Sequence, residues 1–484
     1  MTTRTAPMAV TPLSRNRRFT LLWFGEGVSV LGAMTSTVVL PLLAVEHFDA
    51  TPWQMGLLSA AAWLPWLLLG LVVGTLVDRL DNRRVMIGSD LVAAAALASI
   101  PLGAAVGVLG IGQLLAVALA TGTCTVFFRT AYAGLVAVVV PDEHLDGANA
   151  RLVGTESAMQ VAGPGLGGAL VAAVGAVGAV LAQSASFLVS AACLLAMGRG
   201  PGRRETTSPR RERGDLVREI REGLGVTITD PYLRFFAITG GISNFGLTGY
   251  QSLLVLFMVR DLGLGATAVG QLMALGAAGG VLGAVLAPAL SRRLGSARTI
   301  VVLILLSGPA ALLIATAGPG WRAWPVAAGP FLVGVAVVGA NTVRMAWRQR
   351  YTPPELLGRT IGATSVLNFG LMPLGGVTAG WLGTTMGVRG AIVVLAGTVL
   401  LGSLLHVVSP LWGRRDLPDL MPTEGAREAR RAPSGTTTRR PRPAPDHRSA
   451  RAGPTRHRSC RATSRSSCPP RRREPPRPPR PRTP

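Results

Sequence analysis

Long apolar runs recur along most of this chain, and that recurrence limits the fold more than any motif does. About 20 apolar residues in a helix cross the hydrocarbon core of a bilayer. There the backbone must satisfy its own hydrogen bonds, so spans of this kind are helical. Twelve runs are readable, six in each half of the chain. The first six are Phe19–Val45, Met55–Val77, Val85–Val108, Ile111–Val140, Leu152–Val174 and Gly178–Met197. The second six are Tyr232–Val259, Ala266–Leu290, Ile300–Ala317, Trp324–Val343, Ile361–Met386 and Gly390–Trp412. Only 15% of the residues are charged and the mean hydropathy is +0.41. A soluble domain carries about 25% charge. The expected fold class is therefore an all-α membrane protein of twelve transmembrane helices. Met1–Arg18 is polar and basic, and no cleavable signal segment is expected.

The charges outside the runs set an orientation. Arg15, Arg17 and Arg18, the cluster Asp78–Arg84, Arg151, the segment Arg199–Arg221, Arg292, Arg293, Arg298 and Arg348–Arg359 fall on one side. The other side holds only Arg260, Arg322 and Arg389. Arginine-rich loops stay in the cytoplasm, which predicts both termini there and a multi-pass protein of the cell membrane. Net charge is +24, but Gly413–Pro484 carries 20 Arg against 6 acidic residues and supplies +14 of it. The basic balance is a tail property and predicts no nucleic-acid partner. This tail is rich in Pro, Arg and Ser and reads as disordered. The four cysteines and five histidines have no metal-ligand spacing. Neither a metal, a disulfide nor any cofactor is expected. The chain has no lysine, so a P-loop Gly-x-x-x-x-Gly-Lys-Ser/Thr is impossible.

The first stretch with a recognisable pattern is Gly74-Thr-Leu-Val-Asp78-Arg79-Leu-Asp81-Asn-Arg83-Arg84, between the second and third runs. The second is Pro141-Asp-Glu-His-Leu-Asp-Gly-Ala-Asn149, followed by Gly163-Pro164-Gly-Leu-Gly167-Gly168. The first resembles the loop between spans two and three of the major facilitator superfamily, with one extra residue around Asp81 and Asn82. That longer form, and Pro-x-Glu-x-Leu-x-x-Ala-Asn, resemble the drug-exporter branch that includes macrolide and enterobactin exporters. Gly-Pro-x-x-Gly-Gly is similar to the fifth-span antiporter motif of such exporters. Physically, Pro164 removes a backbone donor, and the glycines let a neighbouring helix approach closely. The resemblance covers Arg18–Trp412. It implies that Gly74, Asp78, Arg79, Arg83 and Arg84 brace a cytoplasmic gate by pairing with charges and helix ends of the other half. Asp90 is expected to belong with that loop rather than with a substrate site.

The two halves repeat. A shift of 214 places Gly56 on Gly270, Arg79 on Arg293 and Arg84 on Arg298. A shift of 212 places Pro141 on Pro353, Glu143 on Glu355, Gly175 on Gly387 and Gly178 on Gly390. Asp78 falls on Arg292, so the second copy lacks that acidic residue. Parallel six-span repeats predict a substrate site between the halves near the midplane. The expected organisation is a cytoplasmic segment 1–18, a bundle 19–197, a linker 198–231, a bundle 232–412 and the tail 413–484. The linker contains an amphipathic stretch with Leu216, Val217, Ile220 and Leu224 on one stripe.

Charges inside the spans are the remaining candidates, because a charge in the bilayer centre costs about 2.5–3.5 kcal/mol on insertion scales. They are Glu26, Arg129 and Glu156. Desolvation favours a neutral carboxyl and a nearby guanidinium favours an ionised one, so Glu26 or Glu156 can carry a coupled proton with Arg129 as modulator. A static Glu156–Arg129 pair is the plainer reading. Arg344 ends the tenth run, where it reaches either the cavity or lipid phosphates. Trp63, Trp66, Phe127 and Met34 are either a wall for a bulky substrate or ordinary packing. The expected protein is a monomeric secondary transporter, not an enzyme. It exports a small amphipathic or apolar organic molecule, a drug, antibiotic or siderophore-like compound, by proton antiport. The sequence leaves an importer, a lysolipid flippase and a non-transporting sensor open.

Overall fold

The computed structural model describes residues 16–70, 72–77, 80–198 and 213–421. Two of the gate residues, Asp78 and Arg79, lie outside the described residues, as do 1–15, the linker residues 199–212 and the tail from Pro422. Every element among the described residues is helical, with thirteen α-helices joined by short turns and loops. In the first half these are α1 (Arg17–Phe48), α2 (Pro52–Leu69), α3 (Val72–Val77), α4 (Asn82–Val106), α5 (Ile111–Val139) and α6 (Leu145–Ala196). A connecting helix, α7 (Arg213–Thr229), leads to α8 (Pro231–Leu256), α9 (Ala266–Leu294), α10 (Ser296–Ile314), α11 (Trp324–Tyr351), α12 (Pro354–Gly370) and α13 (Met372–Leu404).

Nine helical stretches among the described residues are long and apolar enough to cross a bilayer. The number is consistent with twelve spans because two of these stretches each hold two spans and one further span is broken. In α6 and α13 the chain turns at a single residue, Gly175 (φ 75°, ψ 165°) and Gly387 (φ 79°, ψ 162°). That region is essentially open to glycine alone. The pair was already related by the 212-residue shift, so the repeat holds at the level of backbone angles. The second span is the broken pair α2 and α3.

The helix starts follow local chemistry. Thr51 and Gln54 form a reciprocal capping box ahead of α2, with Pro52 in the first turn. Asp230 accepts from the Tyr232 and Leu233 amides at 3.0 Å, with Pro231 beside it, and so starts α8. Hydroxyls inside the spans bond back along their own helix. Thr123, Thr125 and Thr130 each donate to the carbonyl four residues earlier at 2.8 Å. Leu102, Val106 and Val285 are 66–75% exposed. Apolar surface of that kind fits lipid rather than water.

The apolar core divides unevenly. At the end away from the arginine-rich loops, one cluster joins both halves. It runs from Val38–Val45 and Leu97 to Tyr250–Met258, Ala310 and Leu395. At the arginine-rich end there are two clusters. One is built from the first half around Phe19, Met86 and Val136, the other from the second around Tyr232, Ile300 and Trp347. The halves meet where helices cross at glycine. A Cβ on Gly56 of α2 would meet the Gly380 backbone of α13 at 2.7 Å, and one on Gly270 of α9 would meet the Gly168 Cα of α6 at 2.8 Å. Gly56 and Gly270 are repeat partners, so the two crossings are two copies of one contact. At the joined end Arg260 of the second half also pairs with Asp49 of the first.

The tail was expected to begin at Gly413. Instead the chain through Met421 folds back onto the second half, with Leu411 and Leu417 buried in its cluster. Apolar side chains that can bury outweigh local Pro and Arg content. The stripe residues Leu216, Val217 and Ile220 of α7 have side chains outside the described residues. Farther along α7, Gly223 packs against the Arg359 carbonyl group and Glu222 pairs with Arg359 at 2.6 Å.

Gly175→Ala and Gly387→Ala each force a Cβ into a glycine-only region. Each should lower stability by about 1–3 kcal/mol, with equal effects in the two halves, read by thermal unfolding in detergent. A loss at one corner only would show that the corners are not equivalent.

Candidate functional site

The candidate site lies inside the first half, where α1, α4, α5 and α6 converge. Arg129 of α5 donates to Glu156 Oε1 of α6 at 2.6 Å. Their side chains are 50% and 34% exposed, so the pair borders an opening rather than a sealed core. Glu26 of α1 has Arg129, Glu156 and Asp90 as its charged neighbours. Its Oε2 is buried and has no hydrogen-bond partner among the described residues. Two small cavities share Glu26. One, of about 110 Å³, is bounded by Trp23, Tyr132, Asn149 and Glu156. The other, of about 80 Å³, is bounded by Met34, Asp90, Cys124, Phe128, Arg129 and Phe187.

Asp90 departs from the sequence expectation. It is not with Arg83 or Arg84. It is 1% exposed, lines the second cavity with Glu26, and has the Ser29 and Ser190 side chains beside it. Its Oδ2 also has no hydrogen-bond partner among the described residues. Periodicity explains the placement. Position 90 is far enough into α4 to face α1 and α6, while Arg83 and Arg84 remain in the first turn.

The gate loop also differs from what the resemblance implies. Arg83 does not reach the other half. Its Nε donates to the Leu194 carbonyl at 2.7 Å and a terminal nitrogen to that of Leu195 at 3.0 Å. Those carbonyls end α6 in the same half, where orphan acceptors and the helix dipole attract a cation. Asp81 accepts from the Arg83 and Arg84 amides at 3.0 and 3.3 Å and caps α4. The Arg84 side chain is 3.9 Å from Asp81. Gly74 lies in α3, and a Cβ there would meet nothing within 4 Å.

The Gly163–Gly168 motif has two working faces. Gly163 and Gly167 face α1, where their Cβ positions abut Thr35 at 3.2 and 3.0 Å. Thr35 donates to the Gly163 carbonyl at 3.4 Å. Pro164 and Gly168 face Gly270 of α9 in the other half. The motif is thus a helix surface that joins the cavity-lining helix to the opposite half.

The aromatic candidates divide. Met34 lines the cavity, but Trp63 and Trp66 pack on Phe369 of α12, with ring centroids 6.3 and 5.4 Å apart. Phe128, not Phe127, reaches the cavity. Arg344 lies over the Phe236 ring, 5.5 Å from its centroid, and donates to Asn341. At the repeat offsets Glu26, Asp90 and Glu156 correspond to Gly240, Ile304 and Asn368. The carboxylate cluster is therefore a property of the first half alone.

Two repeated helical halves meeting at glycine crossings, with carboxyl groups lining a cavity in the first, define a membrane transporter. The family model described as Major Facilitator Superfamily matches residues 22–376, and the chain belongs to that superfamily. It is 27% identical to the multidrug efflux pump Tap of Mycolicibacterium fortuitum, over 82% of this chain and 97% of that protein. It is 24% identical to macrolide efflux protein A of Streptococcus pyogenes, over 81% and 95% of the respective chains. The crystal structure of a bacterial homologue of the iron transporter ferroportin, in an inward-facing state, shares the fold. Its TM-score is 0.66 at 18% identity, covering 84% of this chain and all of that one.

Glu156→Gln leaves Arg129 in a partly solvated opening, so it should cost about 1 kcal/mol or less. Gly168→Ala should cost more, about 1–3 kcal/mol, because its Cβ meets the α9 backbone. Thermal unfolding of the two purified variants gives the comparison; the reverse ranking would contradict this packing.

Proposed function

We propose that this transporter exports a small amphipathic or apolar organic molecule across the cell membrane in exchange for protons. One observation carries the reading. Glu26 and Asp90 line one cavity among apolar spans, and each has a carboxyl oxygen without a hydrogen-bond partner among the described residues. An unpaired carboxylate in such a place is costly, and taking a proton or meeting a cation removes the cost. Glu156 is already engaged by Arg129. That leaves Glu26 as the proton carrier, with Arg129 lining the same cavity.

The orientation supports an order of events. The arginine-rich end belongs in the cytoplasm by its loop charges. The apolar clusters are separate at that end and joined at the other, the pattern of a cavity open to the cytoplasm. Substrate enters against Met34, Phe128 and Phe187, and Glu26 releases its proton to the cytoplasm. Closing that end opens the other, where protonation of Glu26 favours substrate release. The bundles 19–197 and 232–412 are the two rocking bodies, joined by 198–231, and a monomer suffices. Export rather than uptake is supported by the relatives named as efflux proteins. A macrolide-like or similarly bulky amphipathic drug is the first substrate class to test.

Everted vesicles energised by a pH gradient should accumulate such a compound. Glu26→Gln should abolish gradient-driven accumulation while leaving substrate exchange without a gradient. Asp90→Asn should weaken coupling. Wild-type coupling in both variants would remove the proton role, and accumulation only in right-side-out vesicles would make the protein an importer.

A further inference from the structure

The second half has lost the acidic cap that its repeat partner keeps, and the chain after α13 replaces it. In the first half Asp81 caps α4. The 214-residue shift places Asp81 on Gly295, the residue before α10, which has φ +93° and no side chain to offer. The cap comes instead from Asp416, whose Oδ1 accepts from the Ser296 amide at 2.8 Å. The Arg415 carbonyl accepts from the Ala297 amide at 3.1 Å. In return the Leu417 amide donates to Ser296 Oγ at 2.9 Å. The same strap reaches the end of α11. Trp347 Nε1 donates to the Pro418 carbonyl at 2.8 Å, and the Met421 amide donates to the Tyr351 carbonyl at 3.1 Å. A Cβ on Gly295 would stand 2.8 Å from the Arg415 carbonyl carbon, so glycine there makes room for the strap.

We propose that Gly413–Met421 is a working part of the transporter, and that Asp416 is a positioning residue doing for α10 what Asp81 does for α4. An acidic group at a helix start satisfies orphan amides and the positive end of the dipole. Here it also fastens the α9–α10 corner to α11, so the arginine-rich ends of the second half move as one body. Residues from Pro422 onward are not needed for this. The proposal rests on the reading that the arginine-rich ends of the two halves open and close.

The test places a donor and an acceptor fluorophore on unnatural amino acids at positions 80 and 349, one in each half. Energy transfer is followed in proteoliposomes with and without a pH gradient. The full chain and a chain ending at Met421 should populate two distances. In Asp416→Ala and in a chain ending at Gly413 the shorter-distance population should fall by roughly fivefold to thirtyfold, the size of a lost cap. Gly295→Asp should lower that population in the full chain, where it meets Arg415. Unchanged switching in folded Asp416→Ala and in the chain ending at Gly413 overturns the proposal. So does lost switching in the chain ending at Met421. A full chain with one distance only is a different failure, because it removes the two-state reading beneath.

Discussion

The structure depends on backbone meeting backbone at Gly56 against Gly380 and at Gly270 against Gly168. Lipid tails are as apolar as leucine, so no hydrophobic force draws two helices together inside a bilayer. Association needs close contact, and close contact needs residues without side chains. Both crossings lie toward the joined end, near the starts of α2 and α9. The halves are thereby held together at one end, while at the other each keeps an apolar cluster of its own. A larger residue at either crossing meets main chain, which cannot rotate away as a side chain can.

The repeat preserved shape and let chemistry drift. Gly175 and Gly387 turn the chain with nearly the same φ and ψ. The glycine crossings are also paired by the repeat. Yet Glu26, Asp90 and Glu156 have Gly240, Ile304 and Asn368 as counterparts, none able to ionise. Backbone conformation and helix contact are demanded twice by the fold, once in each half. A buried carboxyl group is demanded only where it is used, and a second set would add desolvation cost without a partner. The same drift removed the acidic cap before α10, and there the chain after α13 occupies the vacant position.

Several features were legible because their cause is local or compositional. Apolar run length sets the spans. Glu26, Arg129 and Glu156 stood out as charges inside apolar runs, and they converge on one site. Asp90 also lay inside a run, but its nearness to the arginine cluster suggested the wrong partners. Helical phase turned it inward while Arg83 turned to the end of α6. Trp63 and Trp66 had the composition of a binding wall, but their partner, Phe369, is some 300 residues away in sequence.

By itself the sequence determined that this chain crosses a membrane many times, as two copies of one six-helix plan, with its ionisable groups concentrated in the first copy. These follow from hydropathy, spacing and the cost of charge in lipid, which act along the chain. Tertiary structure alone decided which carboxyl oxygens are left without partners, which end of the molecule is joined, and that Asp416 caps a helix 120 residues upstream. Those depend on which faces meet when helices distant in sequence pack, and no local pattern records that choice.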